Sequence, residues 1–237
     1  MKPYQLIANW KMNPQDETAT LELAQGLYAL EKNIWVAPPA IFLAHLFKKI
    51  PGMILGAQNM SAQPAGPFTG ELSGAMIKNS GGSFVILGHS ERKQFGETDS
   101  TVCEKIQQAL SLDITPIVCM GEKEYMKDTN ELQWEWDKQI STLFSDISPR
   151  AKLYAVYEPA WAISTTEGTL GSAPVQHIQR FHSWFRERFS YPLLYGGSIN
   201  SESLPSFQFL PLDGFLIGSA SLQLAQMQKI VTIIKDF

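Results

Sequence analysis

Cysteine is scarce in this chain, and its scarcity excludes two classes of protein. Cys103 and Cys119 are the only cysteines among 237 residues, which is too few for a disulfide framework or a cysteine-rich metal site. Cys119 lies in an apolar stretch and Cys103 in a helical one, so we expect two free, buried thiols, as in a reducing compartment. The pattern predicts no metal site.

Charge and long apolar runs are also in short supply. Charged residues make up 18% of the chain and the formal net charge is −4, which argues against nucleic acid or an acidic membrane surface as a partner. No apolar run approaches the roughly 20 residues of a membrane span, and residues 1–5 lack a signal-peptide core. We therefore expect a cytoplasmic protein with no membrane partner. Because 44% of the residues are hydrophobic, the chain can build a sizeable core.

Short apolar runs alternate with helical patterns along the whole chain. Eight runs have the length and composition of buried strands. They are 5–8, 34–37, 53–57, 84–87, 114–118, 153–157, 193–195 and 215–217. Helical segments long enough for parallel crossovers lie between them. Since no linker or composition break interrupts the pattern, it predicts an α/β fold, a (β/α)8 barrel, with a single domain over residues 1–237. A doubly wound open sheet is the alternative.

Two helices and one loop have more specific signals. The first helix is expected from about Gln15 to Glu31, with Asn13 as its N-cap and Pro14 in its first turn, and the last from about Ser221. The longest irregular stretch, 59–73, has two apolar side chains of the exposed type, Met60 and Phe68. Loops of this length are usually functional or disordered. A solvated loop and a loop that docks on another subunit fit the sequence equally well.

Glu158 is a carboxylate in an unusual place. It ends the apolar run 153–157 and is followed by Pro159, which fixes the direction in which the chain leaves the strand. Packing does not explain a carboxylate at the end of a buried strand. A solvated side chain or half of an ion pair is the ordinary interpretation, and a base held at the mouth of a site is the functional one.

Other polar residues follow the predicted strands. In a parallel barrel the active site lies at the C-terminal ends of the strands, where Asn9 and Lys11 follow strand one and His89 and Glu91 follow strand four. A surface lysine and a structural histidine are the ordinary interpretations. His89, however, lies in the first turn of a predicted helix, whose positive end disfavours imidazolium, so we expect a neutral ring that can donate to a carbonyl oxygen.

The turns after strands seven and eight, 196–200 and 218–221, are rich in glycine and serine and open helical segments. Either turn alone could be ordinary tight-turn chemistry, but loops at these two strands bind phosphate in many barrels. A carboxylate base, a neutral imidazole, a lysine and a phosphate cradle suit proton abstraction next to a carbonyl in a small phosphorylated substrate. This chemistry needs no metal ligands, redox motif or nucleophile–base pair.

Nine stretches in order along the chain resemble the triosephosphate isomerase family. They are ANWKMN at 8–13, QN at 58–59, FTGE at 68–71, LGHSER at 87–92, GET at 96–98, CMGE at 119–122, YEPAWAI at 157–163, YGGS at 195–198 and DGFLIG at 213–218. The resemblance implies a TIM barrel that interconverts dihydroxyacetone phosphate and D-glyceraldehyde 3-phosphate through an enediolate, a step of glycolysis and gluconeogenesis, with no cofactor.

The resemblance also implies a role for each matching residue. Glu158 would move the proton between the two carbons, and His89 would polarise the carbonyl. Lys11 would stabilise negative charge, Asn9 would orient the substrate oxygens, and Glu91 would fix the local network and contact Lys11.

Further residues follow from the same resemblance. Backbone groups of Ser164, Ser198, Gly218 and Ser219, together with Asn9 and Lys11, would bind the substrate and its phosphate. The loop residues Phe68, Thr69, Gly70 and Glu71 would reach into a neighbouring subunit, which makes the expected partner a second copy in a homodimer.

The segment after Glu158 would be a lid that closes over the substrate, and here the chain departs from the family. The usual tip Gly-Thr-Gly-Lys is Ser164-Thr165-Thr166-Glu167, and the usual Gly-Gly after strand eight is Gly218-Ser219. Backbone donors survive both changes, so we expect altered phosphate affinity and lid motion more than altered chemistry. A non-catalytic barrel that binds a phosphorylated ligand or a protein partner, and an enzyme for a longer phosphosugar, are the competing hypotheses.

Overall fold

The structure is a computed structural model that describes residues 4–163 and 171–237. Eight parallel strands form a closed barrel in the order of the sequence. They are β1 Gln5–Asn9, β2 Trp35–Ala37, β3 Ile54–Ala57, β4 Gly82–Leu87, β5 Thr115–Met120, β6 Tyr154–Tyr157, β7 Leu193–Tyr195 and β8 Gly214–Ile217. Because β1 pairs with β8, with Gln5 opposite Gly214, the sheet has no edge. The barrel prediction is confirmed and the open-sheet alternative is wrong.

Helices surround the barrel. The α-helices are α1 Glu17–Leu30, α2 Leu43–Lys49, α3 Gly74–Asn79, α4 Ser90–Gln94, α5 Asp99–Ser111, α6 Thr129–Leu143, α7 Val175–Arg186 and α8 Leu224–Lys235. In the described parts of the connections there are also four 3-10 helices, Ala40–Phe42, Ala160–Ala162, Leu204–Phe207 and Ser219–Leu222. The described part of the β7–β8 connection has a 3-10 helix where the other units have an α-helix. None of the described helices has the length and apolar composition needed to cross a membrane.

The ends of the first and last helices differ from the sequence prediction. The N-cap of α1 is Asp16 and not Asn13, because the Asp16 side chain accepts a hydrogen bond from the N–H of Ala19 at 2.9 Å and so satisfies a free helix-end donor. Helix α8 begins at Leu224 rather than Ser221, because the residues before it form the tighter 3-10 turn Ser219–Leu222.

The core has two layers. Strand residues that point into the barrel form a small inner cluster that includes Phe84, Ile117 and Cys119. Residues that point outward pack against the helices in a larger cluster, which holds Cys103 on α5. Both cysteines are free and buried, as predicted.

The long loop after β3 was predicted to expose two apolar side chains, and that prediction is half wrong. Phe68 is exposed, but Met60 is only 2% exposed and joins the core cluster. The N–H of Ser61 donates to the carbonyl of Leu72 at 2.8 Å, and this bond draws the two ends of the loop together. Met60 is buried because that closure turns it toward the helices, while Phe68 stays at the tip.

Candidate active site

The end of β1 holds Asn9 and Lys11 in a fixed geometry. Lys11 has a φ of 55°, a left-handed conformation that costs energy for a residue with a side chain. It is held there because the Asn9 side chain accepts from the N–H of Lys11 at 3.2 Å, while the Gln58 amide donates to the Lys11 carbonyl at 2.8 Å. The backbone thus sets the direction of the lysine side chain.

Lys11 is paired with Glu91 in this state. Lys11 Nζ and Glu91 Oε1 are 2.6 Å apart, and the two side chains are 22% and 35% exposed. A pair this exposed contributes little to stability, about 0–1 kcal/mol. Its effect is on orientation, since Glu91 holds the ammonium group beside the end of β4.

His89 and Glu158 contact each other directly. His89 Nε2 lies 3.0 Å from Glu158 Oε1, and the other oxygen, Oε2, accepts from the N–H of Ser90 at 3.1 Å. On the far side of the ring, His89 Nδ1 accepts from the N–H of Glu91 at 3.2 Å, which makes His89 the N-cap of α4. Because Nδ1 accepts, the proton of a neutral ring is on Nε2, where it can be donated.

The pKa of His89 moves in the direction opposite to the one expected from the sequence. Burial lowers the pKa, but the charge of Glu158 and its hydrogen bond outweigh burial, so the pKa is raised above its usual value. The predicted effect of the helix end is weak because α4 has only five residues. The direction of the shift is set by the neighbouring carboxylate.

Glu158 is 4% exposed, and its backbone is held from β5. Its N–H donates to the Met120 carbonyl at 2.7 Å. Gly121 is needed beside it, because a Cβ at that position would lie 2.5 Å from the Glu158 carbonyl oxygen. The carboxylate is therefore placed by the neighbouring strand as well as by Pro159.

Seven of the predicted site residues line one cavity of about 110 Å³. They are Asn9, Lys11, His89, Glu158, Ser198, Gly218 and Ser219. Gly218 faces the lysine, since a Cβ there would lie 3.5 Å from Lys11 Cε. The small volume favours a substrate of few atoms. The two glycine- and serine-rich turns supply part of the lining, and Gly196 of the first turn lies beside Glu158, since a Cβ there would be 3.5 Å from Glu158 Cβ.

The remaining predicted residues lie elsewhere. Glu91 borders the site through its contact with Lys11. The residues of the loop tip, Phe68, Thr69, Gly70 and Glu71, are exposed and do not line the cavity. The lid positions Ser164, Thr166 and Glu167 lie outside the described residues.

Sequence reasoning missed a buried polar cluster around Glu122. This side chain is 0% exposed, and four groups contact its carboxylate oxygens. They are Trp136 Nε1 at 2.8 Å, Trp161 Nε1 at 2.8 Å, the Tyr157 hydroxyl at 2.9 Å and His177 Nε2 at 2.8 Å. A carboxylate two residues after a buried strand, in the same setting as Glu158, was the available signal.

The pKa of Glu122 reflects these partners. Burial alone would raise it, but hydrogen bonds from His177, Trp136 and Trp161 outweigh burial and lower the pKa. The pKa of the Tyr157 hydroxyl is raised by burial and by the charge of Glu122. The cluster therefore contains an ionised carboxylate that accepts from the Trp136, Trp161 and Tyr157 donors. Among residues 4–163 and 171–237, no group of three His, Cys, Asp or Glu side chains could hold a metal ion.

Comparison with known proteins gives one consistent result. The family model for triosephosphate isomerase matches residues 4–234. Curated triosephosphate isomerases of Endomicrobium trichonymphae and Delftia acidovorans are 36% and 34% identical to this chain; the alignments cover 95% and 98% of it and 96% and 98% of those proteins. A crystal structure of triosephosphate isomerase from Bartonella henselae superposes with a TM-score of 0.84 at 27% identity, covering 99% of this chain and 100% of that one.

Proposed function

Because this chain belongs to the triosephosphate isomerase family and has its isomerase activity, we propose that catalysis is carried out by Glu158 as the base and His89 as the electrophile. The reaction interconverts dihydroxyacetone phosphate and D-glyceraldehyde 3-phosphate in glycolysis, and we extend it to gluconeogenesis. The observation that carries the assignment is that Glu158 and His89 are in contact at 3.0 Å in one cavity with Lys11 and the two glycine-rich turns.

The proton steps follow from these positions. The Glu158 carboxylate removes a proton from the carbon next to the substrate carbonyl and returns it to the neighbouring carbon. His89 donates its Nε2 proton in a hydrogen bond to the carbonyl oxygen, so negative charge can develop there as the enediolate forms. In the free protein this proton faces Glu158, so substrate has to separate the two side chains. Once the carboxylate has moved away, the main cause of the raised His89 pKa is gone and the ring stays neutral.

Other residues of the cavity stabilise the negative charge and bind the phosphate. The Lys11 ammonium stabilises both the enediolate and the phosphate, and Asn9 orients the substrate oxygens. Backbone groups of Ser198, Gly218 and Ser219 bind the phosphate, as does Ser164 of the lid. Glu91 positions Lys11. The departures at Ser164, Thr166, Glu167 and Ser219 alter phosphate affinity and lid motion.

We also propose that the working unit is a homodimer. Large apolar side chains are exposed on the loops that follow four adjacent strands, β1 to β4, at the same end of the barrel. They are Met12, Ile41, Phe68 and Phe95. Because neighbouring strands bring these loops side by side, the side chains form one apolar face that a second copy would cover. Phe68, Thr69, Gly70 and Glu71 supply the protruding part of that contact.

We also propose a domain organisation, a set of partners and a cellular location. The chain forms a single barrel domain over residues 1–237. Its partners are the triose phosphate and a second copy of itself, and neither nucleic acid nor a membrane is a partner. A cytoplasmic location fits two free, buried thiols and a step of glycolysis.

The test is Glu158→Gln, assayed by coupling dihydroxyacetone phosphate formation from glyceraldehyde 3-phosphate to a dehydrogenase. Glutamine keeps the size of the side chain but cannot take the proton, so kcat/KM should fall by at least about 10²–10⁴. Glu202→Gln is the control, because Glu202 is exposed and outside the cavity, and its rate should be unchanged. A loss of less than tenfold in Glu158→Gln would show that another group is the base. Wild-type protein that binds phosphoglycolate without turnover would support the non-catalytic barrel instead.

A further inference from the structure

His177 lies on α7 and takes no part in the proposed proton steps. It is 5% exposed, and its Nε2 is 2.8 Å from Glu122 Oε1. Burying a carboxylate with an imidazole costs desolvation free energy, which is offset only where the geometry is good and further hydrogen bonds complete the pair. The other groups that donate hydrogen bonds to the Glu122 carboxylate indicate the role of the His177–Glu122 pair.

Glu122 holds the chain on both sides of Glu158. The Tyr157 hydroxyl, one residue before, donates to both carboxylate oxygens at 2.9 and 3.1 Å. The Trp161 indole, three residues after, donates to Oε1 at 2.8 Å. In addition, the N–H of Ala160 donates to the backbone carbonyl of Glu122 at 3.0 Å. The segment that carries the proposed base is thus fixed to one residue at three points.

An ionised carboxylate in a fixed orientation serves these bonds best. A protonated carboxyl would turn one oxygen into a donor, and fewer and weaker acceptor sites would remain for Trp136, Trp161 and Tyr157. Burial favours the protonated form. The contact with His177 opposes this effect of burial, and the bond at 2.8 Å also fixes the rotation of the carboxylate.

We propose that His177 is a positioning residue for Glu158, acting through Glu122 and the two side chains, Tyr157 and Trp161, that flank the base. The proposal rests on the proposed role of Glu158. His177 orients the Glu122 carboxylate, the carboxylate holds Tyr157 and Trp161, and these hold the backbone between them. Movement of a base by about 1 Å can cost about 10²-fold in rate, so a contact outside the substrate cavity can matter for turnover.

A purely structural role is the competing interpretation. The His177 ring packs at right angles on Trp161, with centroids 5.2 Å apart, and near Trp136 at 6.1 Å. If packing were its only contribution, replacement would lower the unfolding temperature but leave the turnover of the folded enzyme unchanged. Measurement of kcat per folded molecule therefore distinguishes a positioning role from a purely structural one.

The experiment compares His177→Asn, His177→Leu and His177→Gln. Glutamine places an amide N–H where Nε2 stands, whereas asparagine reaches only as far as Nδ1 and leucine has no donor. We expect kcat to fall about 10- to 100-fold in the asparagine and leucine variants, with KM changed less than kcat, and to recover to within about threefold in the glutamine variant. His182→Gln is the matched control, since His182 is on the same helix but bonds Arg186 rather than Glu122, and it should keep the wild-type rate.

The indole N–H resonances of Trp161 and Trp136 provide a readout independent of turnover. Both should shift in His177→Asn and His177→Leu and return toward their wild-type positions in His177→Gln. Wild-type kcat in the folded asparagine or leucine variant would overturn the proposal, as would a glutamine variant as slow as the other two. If only one of His177→Asn and His177→Leu folds, the kcat of that variant decides whether the proposal stands.

The positioning proposal and the assignment of the base fail in different ways. If Glu158→Gln remains active, the proposed base is wrong, whatever the His177 variants do. If Glu158→Gln is inactive and the His177 variants turn over normally, only the positioning proposal fails.

Discussion

The hydroxyl of the buried residue Tyr195 makes one hydrogen bond among the described residues, and removing the hydroxyl tests how much that bond contributes to stability. It accepts a hydrogen bond from the N–H of Ala173 at 3.0 Å. Both residues are buried, and Gly197 makes room for the hydroxyl, since a Cβ on Gly197 would lie 2.1 Å from it. Tyr195→Phe keeps the ring and removes the acceptor, so it leaves the Ala173 N–H buried without a partner.

The size of the effect follows from that orphaned donor. A buried donor without a partner costs about 1–3 kcal/mol. For a chain of this length 1 kcal/mol changes the unfolding temperature by about 2–4 °C, so Tyr195→Phe should lower Tm by about 2–12 °C. Tyr28→Phe is the control, because the Tyr28 hydroxyl makes a long bond of 3.3 Å to the Pro51 carbonyl in an exposed setting. Its cost should be within about 0.5 kcal/mol.

The assay is thermal unfolding followed by circular dichroism and by calorimetry. Protein concentration is held equal for all variants, because the stability of the proposed dimer would depend on concentration. Equal Tm values for Tyr195→Phe and Tyr28→Phe would refute the reasoning, since they would mean that the Ala173 N–H finds another partner or reaches water.

Three further predictions concern the dimer, the lysine and the buried carboxylate. Phe95→Glu should give a monomer in sedimentation velocity, because Phe95 is 81% exposed on the proposed interface. The control Phe209→Glu should stay dimeric, because Phe209 is 91% exposed but lies in the β7–β8 connection. The same oligomeric state in both variants would argue against this interface. Lys11→Met should lower kcat/KM by about 10²–10³, as for loss of one charge-stabilising donor, with little change in Tm, and near-normal activity would remove Lys11 from the mechanism. Because the folded-state pKa of Glu122 lies below its usual 4.5, its stabilising contribution is complete above pH 4.5 and is lost as the pH falls through the lowered value. The difference in unfolding free energy between wild type and Glu122→Gln, measured in urea, should therefore be constant above pH 5 and shrink in acid, and a pH-independent difference would contradict this.

Much of the site was readable from the sequence because its residues stand at the ends of strands. Each strand is a local apolar run, and all eight C-terminal ends meet at one end of a parallel barrel. Asn9, Lys11, His89 and Glu158 could therefore be grouped before any distance was known. The same locality explains why the strand positions were predicted within two residues.

Two of the errors arose where residues of similar type lie close together in the sequence. Asn13 and Asp16 are both good N-caps, and only the path of the chain decides that Asp16 meets the N–H of Ala19. Met60 and Phe68 are both apolar residues in one loop, and the bond between Ser61 and Leu72 decides which of them is buried. Local composition does not contain that information.

The sequence by itself determined the alternation of strands and helices, the barrel, and the chemical groups at the strand ends, because these depend on the order and spacing of neighbouring residues. Only the tertiary structure decided which charges meet. His89 and Glu158 come from β4 and β6, and Glu122 collects partners from β6, α6 and α7 and from the 3-10 helix after β6. The pKa of His89 is raised rather than lowered for this reason: an electrostatic shift depends on distance in space and on burial, and both are fixed only when the barrel closes.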